Sequence, residues 1–292
     1  MLRKLEGFDI VVYVLLGFVG IVTLLPLLHL LFISFADPAV LSRGMYLVPT
    51  SFSTVAYRFV FEHTDMLTGY RNSILYTLAY VTLALLLTVM TAYPLSKKVL
   101  PARKYLTFYF VLTMFVSGGL IPFFLVVKSL GLVNTVWAMV IPGSLSIFNM
   151  ILMRTYFQSL PQEMEEAAII DGAGLMRTLL SVILPVSKPM LMTIGLFYAV
   201  SKWNDYFNGL IFLNDQKLFP LQLMVRQTNA IIDAALFEMS RQNNTLYGYS
   251  LMDLSRPISY AALFASIFPI LAVYPFIQKY FVKGVMIGSL KG

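Results

Sequence analysis

Apolar residues in this chain fall in long unbroken blocks, not at the spacing of a half-buried strand or a one-sided helix. Runs without charge cover 10–36, 72–96, 105–127, 129–153 and 257–278. Each reaches the roughly 20 residues that a helix needs to cross hydrocarbon. A sixth run, 189–213, is interrupted by Lys202 and Asp205. The pattern predicts one all-α integral membrane domain over 1–292, with six transmembrane helices at about 10–36, 72–96, 105–127, 129–153, 187–213 and 257–280. The first run exceeds the apolar core of a cleavable signal, about 7–15 residues, so it is expected to remain as an anchor.

Helix breakers lie inside several of these blocks: Pro26, then Gly118, Gly119 and Pro122, then Pro142 and Gly143, then Pro269 and Pro275. In lipid the backbone groups they free must find partners within protein or a wet cavity. They read either as ordinary kinks or as parts of a moving path. Two connections are long. Residues 37–71 carry the mixed-charge stretch "RFVFEHTDMLTGYR", and 214–256 carry polar residues in a broken pattern that suggests a folded or partner-ordered loop. A long loop inside a compact domain usually has a task. No inverted repeat of the kind secondary transporters carry is visible. Six spans are few to enclose a solute path, so the pattern points to half of a pore.

Composition agrees with a bilayer: 59% of residues are hydrophobic and 12% charged, against roughly a quarter charged in soluble domains. The net charge of +7 does not indicate nucleic acid, because its positions report topology. Arg3 and Lys4 precede span one, Lys97, Lys98, Arg103 and Lys104 crowd the gap between spans two and three, and Lys279, Lys283 and Lys291 follow span six. By the positive-inside rule these segments are cytoplasmic, which puts both termini inside and 37–71 and 214–256 outside. There is no cysteine, hence no disulfide framework and no thiolate chemistry. His29 and His63 are too few and too far apart for a metal set.

The cytoplasmic segment 154–186 holds the most informative residues. Pro161 suits a first helical turn, and Glu163, Glu165 and Glu166 follow where a helix dipole favours negative charge. Gly172 and Gly174 read as glycines that end the helix. The spacing predicts a helix of about eleven residues, too short to stand alone in water, with Met164, Ala167, Ala168 and Ile170 forming an apolar face beside an acidic one. A second helix, 175–183, is expected to stop at "LP", where Pro185 breaks the ladder. The pair reads as a lever projecting from the membrane, or as an amphipathic hairpin lying on the inner leaflet.

The pattern Glu166-Ala167-Ala168, three residues, Gly172, nine residues, Val182, one more, Leu184-Pro185 resembles the "EAA" signature of permease subunits in binding-protein-dependent ABC importers. Val182 stands where the family usually has isoleucine. The segments "GGLIPFFLVVKSLGLVNTVWAMVIPG" (118–143), "FNMILMRTYFQSLPQEMEEAAIIDGAG" (148–174) and "YPFIQKYFVKGVMIGSLKG" (274–292) are similar to the carbohydrate-uptake permeases of the maltose-importer class. Within that class the chain looks most like the LplC-like branch for complex oligosaccharides. The resemblance implies a type I ABC importer permease fold in the bacterial cytoplasmic (inner) membrane. It also implies a second permease, two copies of a cytoplasmic ATPase and an extracytoplasmic sugar-binding protein as partners. Glu163, Glu165, Glu166, Ala167, Ala168, Asp171, Gly172, Leu184 and Pro185 would then form the coupling helix and its support against the ATPase.

No G-x-x-x-x-G-K-[ST] loop is present, so this chain is expected to bind no cofactor and to be no enzyme, with ATP and Mg on the partner ATPase. Charge inside a span is a functional candidate by default. Lys202, however, lies 17 residues beyond Pro185, roughly 26 Å along a helix, and is expected to snorkel at the outer interface. Asn149, Trp203 and Asn204 are candidates for a substrate path, because sugars are held by aromatic faces and amides. Two alternatives stay open on residues alone: a secondary transporter of a small polar solute, and an ABC permease for a non-sugar substrate. A membrane-embedded enzyme is disfavoured by the absence of any His, Asp or Glu cluster within the spans.

Overall fold

The computed structural model describes residues 7–41, 50–239, 245–246 and 249–289. Its helices are α1 (Gly7–Ser34), α2 (Pro38–Leu41), α3 (Val55–His63), α4 (Met66–Ser96), α5 (Arg103–Phe115), α6 (Leu120–Ser129), α7 (Trp137–Val140) and α8 (Ile147–Ser159). These are followed by α9 (Glu163–Ile170), α10 (Leu175–Thr178), α11 (Leu184–Val186), α12 (Lys188–Trp203), α13 (Phe207–Phe212), α14 (Leu221–Met239) and α15 (Leu251–Ser289). A π turn, Leu179–Ile183, joins α10 to α11. The described β structure is an antiparallel pair of two-residue strands, Thr245–Leu246 with Tyr249–Ser250, and an isolated antiparallel bridge between Ala36 and Phe52.

The apolar blocks become helices of different kinds. Among the described residues α1, α4 and the Asp253–Val273 part of α15 are each long and apolar enough to cross a bilayer. The 105–127 block forms α5 and α6 instead, bent by 115°. The bend falls at Ser117–Gly118–Gly119, where Gly119 has φ +83° and its N–H donates to Ser117 Oγ at 3.2 Å. The 129–153 block divides into α7 and α8 around Pro142 and Gly143, and the 189–213 block into α12 and α13 around Asn204–Tyr206. Glycine and proline thus mark full breaks in the first two blocks, the third breaks at a segment with neither, and Pro26 and Pro94 are carried inside continuous helices.

The chain divides into two compact units. One comprises residues 1–67 and 224–269. Ser34 Oγ lies 2.8 Å from the Tyr57 hydroxyl and the Phe35 and Tyr57 rings are 4.5 Å apart, which ties the end of α1 to α3. His29 meets the edge of Tyr260 at 6.3 Å. Most of α1 is exposed along its apolar length, as expected of a helix that faces lipid. The 214–256 segment is largely helical within the described residues, since α14 occupies 221–239.

The other unit comprises 68–223 and 270–292. Its core joins α4, α8, the π turn and α12 through Ala84, Ala92, Met150, Met153, Phe157, Leu179, Ile183, Ile194 and Tyr198. The start of α4 holds the 217–221 segment by backbone recognition. Asn72 Nδ2 donates to the carbonyls of Lys217 (2.8 Å) and Phe219 (3.1 Å), Tyr76 donates to Leu218 (2.8 Å), and Ser73 Oγ accepts from the Leu221 N–H (2.8 Å). Asn134, at φ +59°, accepts from the N–H groups of Asn214 and Asp215 through Oδ1, 2.9 Å each.

Candidate functional site

Leu160 leaves α8 in extended conformation, as the residue before a proline prefers. Pro161 therefore lies ahead of the next helix, and the N-cap is Gln162, whose carbonyl accepts from the N–H groups of Glu165 and Glu166. The helix α9 is eight residues long, shorter than the eleven expected, because its first turn begins after the proline. Glu163, Glu165 and Glu166 occupy that first turn, beside the positive end of the helix dipole.

Its end is a complete Schellman motif. The Gly172 N–H donates to Ile169 and the Ala173 N–H to Ala168, 2.9 Å each, while Asp171 closes onto Ala167 at 3.0 Å. Gly172 takes φ +79°, the left-handed position that this motif requires. A Cβ there would meet nothing within 4 Å, so glycine is needed for its backbone and not for space. Gly174 does not share this role: at φ −72°, ψ 165° it is the extended N-cap of α10.

The faces of α9 differ from the expected apolar set. Ala168 is buried and Met164 half-buried, whereas Glu163, Glu166, Ala167, Asp171 and Gly172 are exposed, and Ile170 is 85% exposed. The outward surface is thus small, apolar and acidic together. Glu165 turns the other way and pairs with Lys97 at the end of α4. Lys97 also sits 4.3 Å above the Tyr93 ring. Beside this contact, Tyr93, Pro94, Val99, Leu175, Met176 and Leu179 line an apolar cavity of about 360 Å³.

The return strand of the loop is anchored in the core. Leu179 is 3% and Ile183 0% exposed, and Val182 and Leu184 pack on the same cluster. Helical structure continues through Pro185 to Val186, beyond the expected stop at 183. The π turn ends at Ile183, so Pro185 sits at the start of a new regular turn, where its missing N–H costs little. The N–H of Ser187 then closes onto Ile183 (3.0 Å) and Leu184 (3.1 Å), and the chain bends by 82° into α12. On the other side of the loop, Arg154 Nε donates to Leu95 at 3.0 Å, and the Tyr156 hydroxyl donates to Val186 at 3.3 Å.

Lys202 does not snorkel. It is 7% exposed, pairs with Asp205 at 2.7 Å and lies 4.4 Å above the Tyr80 ring. Asp205 also accepts from the Asn208 side-chain amide at 2.7 Å and backbone N–H at 3.1 Å. Tyr80 donates to Gly143 at 2.7 Å, and the Tyr198 hydroxyl lies 2.7 Å from Thr88 Oγ1 and accepts from the Ser146 N–H at 3.1 Å. This buried polar chain crosses α4, the break between α7 and α8, and α12. Sequence reading missed it because Tyr80, Thr88 and Tyr198 look like isolated polar positions in apolar runs.

Of the candidate path residues, Asn149 and Trp203 are buried, and Asn204 is exposed with its amide committed to the Val200 carbonyl at 2.8 Å. Among the described residues no three of His, Cys, Asp and Glu lie together as a metal set.

A family model described as "Binding-protein-dependent transport system inner membrane component" matches residues 64–287. Protein LplC of Bacillus subtilis (strain 168) is 39% identical over 286 residues, covering 98% of this chain and 95% of that protein. The polygalacturonan/rhamnogalacturonan transport system permease protein YtcP of the same organism is 37% identical over 286 residues, covering 98% of each chain. A chain in the crystal structure of a bacterial ABC transporter involved in the import of the acidic polysaccharide alginate superposes with a TM-score of 0.83 at 32% identity. That match covers 96% of this chain and 100% of the other.

Proposed function

The chain belongs to the family of inner membrane components of binding-protein-dependent transport systems, and from that premise we propose that it is the permease subunit that carries an oligosaccharide through an ATP-driven importer. It has the type I permease fold and is a transport subunit of the inner membrane. Two relatives that are described as serving polysaccharide transport, each above 30% identity, support carbohydrate as the cargo class. A partner permease, an ATPase and a solute-binding protein belong to such systems in general. Here the second permease completes the pore, two ATPases hydrolyse ATP with Mg, and the binding protein delivers the sugar from outside.

The observation that carries the coupling role is α9. Eight residues are too few to be stable as a free helix, yet both of its ends are fixed, by Pro161 and by the Schellman motif. Its inner side is tied to α4 through Glu165 and Lys97, and its exit is packed into the core through Leu179 and Ile183. Glu163, Glu166, Ala167, Asp171 and Gly172 make a surface whose small residues let a partner approach closely and whose acids meet basic groups, while Ala168 packs beneath it. Force applied to α9 by a closing ATPase dimer is delivered to α4 through the Glu165–Lys97 pair and to α12 through the packed Leu179 and Ile183. Leu184 and Pro185 support the exit turn. The expected topology has six crossings with both termini in the cytoplasm. Asn149, Trp203 and Asn204 remain the residues proposed for the sugar path.

The test is affinity purification of this subunit from native membranes with mass spectrometry of its companions, in wild type and Gly172→Pro. Proline cannot adopt φ +79°, so the variant removes the Schellman stop. Recovery of an ATPase and a second permease with wild type, and loss of the ATPase alone in the variant, is the expected result. A chain that purifies alone and drives uptake in vesicles by itself would overturn the proposal.

A further inference from the structure

Apart from α9, residues of the 98–111 segment and Arg154 enclose an open cavity of about 730 Å³, within the size range of small-molecule sites, about 300–1,000 Å³. Four cations line it: Lys98, Arg103, Lys104 and Arg154. Among the described residues none of the four forms an ion pair with an acid. Arg103 is close enough for its charge to act on Arg154. Such crowding of like charge is unfavourable unless an anion joins it. Thr107 also lines the cavity, and its hydroxyl is buried without a hydrogen-bond partner. The helix α5 begins here at Ala102, in left-handed conformation and without a side-chain cap, which leaves first-turn amides open to an acceptor oxygen.

The remaining wall separates a lipid from a soluble anion. Tyr105 and Phe108 are exposed apolar members of the lining, and α5 continues with exposed Tyr109, Leu112 and Phe115. A basic cradle that opens onto an outward apolar helix face fits a molecule with an anionic head and an acyl chain. We propose that this cavity binds the phosphodiester headgroup of an anionic phospholipid, with Arg103 and Arg154 on the phosphate, Lys98 and Lys104 at its rim, and the acyl chain along α5. The inference rests on the transport reading only for placing the cavity at the cytoplasmic leaflet. Occupancy neutralises the cluster beside Lys97 and steadies the end of α4 that holds α9.

The experiment is native mass spectrometry of the complex as purified from membranes, exchanged into nanodiscs with equal phosphatidylglycerol and phosphatidylcholine. Wild type is expected to retain phosphatidylglycerol with a preference of roughly tenfold, the scale of one or two near-surface cation contacts. Lys98→Gln with Lys104→Gln, both exposed and safe for folding, should lower that preference several-fold, while Lys98→Arg with Lys104→Arg should keep it. Adding Arg103→Gln and Arg154→Gln should abolish it. Equal retention of the two lipids by wild type, or an unchanged preference in the glutamine variants, overturns the site. Displacement of the lipid by inorganic phosphate would identify a free-phosphate site and overturn the lipid assignment. An ATPase that co-purifies without any lipid preference fails this proposal alone, whereas a retained preference with no ATPase fails the transport reading alone.

Discussion

At the scale of single residues, the least expected feature is a lysine inside the protein. Lys202 and Asp205 side chains are 4% and 13% exposed, and each has a further partner besides the other: the Tyr80 face for one, the Asn208 donors for the other. Removing one partner leaves a buried charge unpaired, at a cost of about 3–5 kcal/mol, whereas replacing both by apolar or neutral groups often costs far less. Lys202→Met and Asp205→Asn are each expected to destabilise the purified subunit strongly, and the double variant less than their sum. Thermal unfolding in detergent of all four proteins measures this, and simple additivity would show that the pair is not coupled. By contrast, Gly172 was legible in the sequence: a glycine one position beyond a short acidic helix is the usual Schellman residue, and its backbone takes that conformation. Lys202 was not legible, because counting residues along an ideal helix locates depth but not the tyrosine face that covers the ammonium.

Among the elements, α9 shows how far local rules reach. Proline before the helix, acids in its first turn and glycine after its last were enough to place it within two residues at its start and one at its end. The division of its surface was not legible. The 3.6-residue periodicity groups Met164 with Ala167 and Ala168, yet which side faces inward is decided by Lys97, some seventy positions earlier in the chain. The same holds for the blocks at 105–127 and 129–153. Their glycines and prolines are visible in sequence, but whether a breaker kinks or ends a helix depends on partners for the freed backbone groups. The Lys97–Glu165 pair is partly buried, with side chains 23% and 20% exposed, and it is the ion pair that joins α9 to the end of α4. Lys97→Glu and Glu165→Lys are each expected to leave ATP hydrolysis by the reconstituted complex while lowering sugar uptake, and the combined swap to recover uptake. Uptake unaffected by either single change would remove the pair from the coupling route.

On the scale of the whole molecule, charge bias gives an orientation that the helices alone do not. The chain lacks cysteine, which makes single thiols clean reporters. Lys98→Cys and Glu163→Cys should be labelled by an impermeant reagent only from the cytoplasmic side, and Gln216→Cys only from outside. Labelling of Lys98→Cys and Gln216→Cys from the same side would refute the six-crossing order. In the proposed coupling, α9 is the surface on which an ATPase acts. A photo-crosslink from Glu166→Cys, carrying a benzophenone thiol reagent, in native membranes with and without ATP, tests this. A crosslink to a cytoplasmic ATPase whose yield changes with nucleotide is expected, and none from a thiol at Gln216. A Glu166 probe that captures only lipid, in membranes where the importer is active, would contradict it.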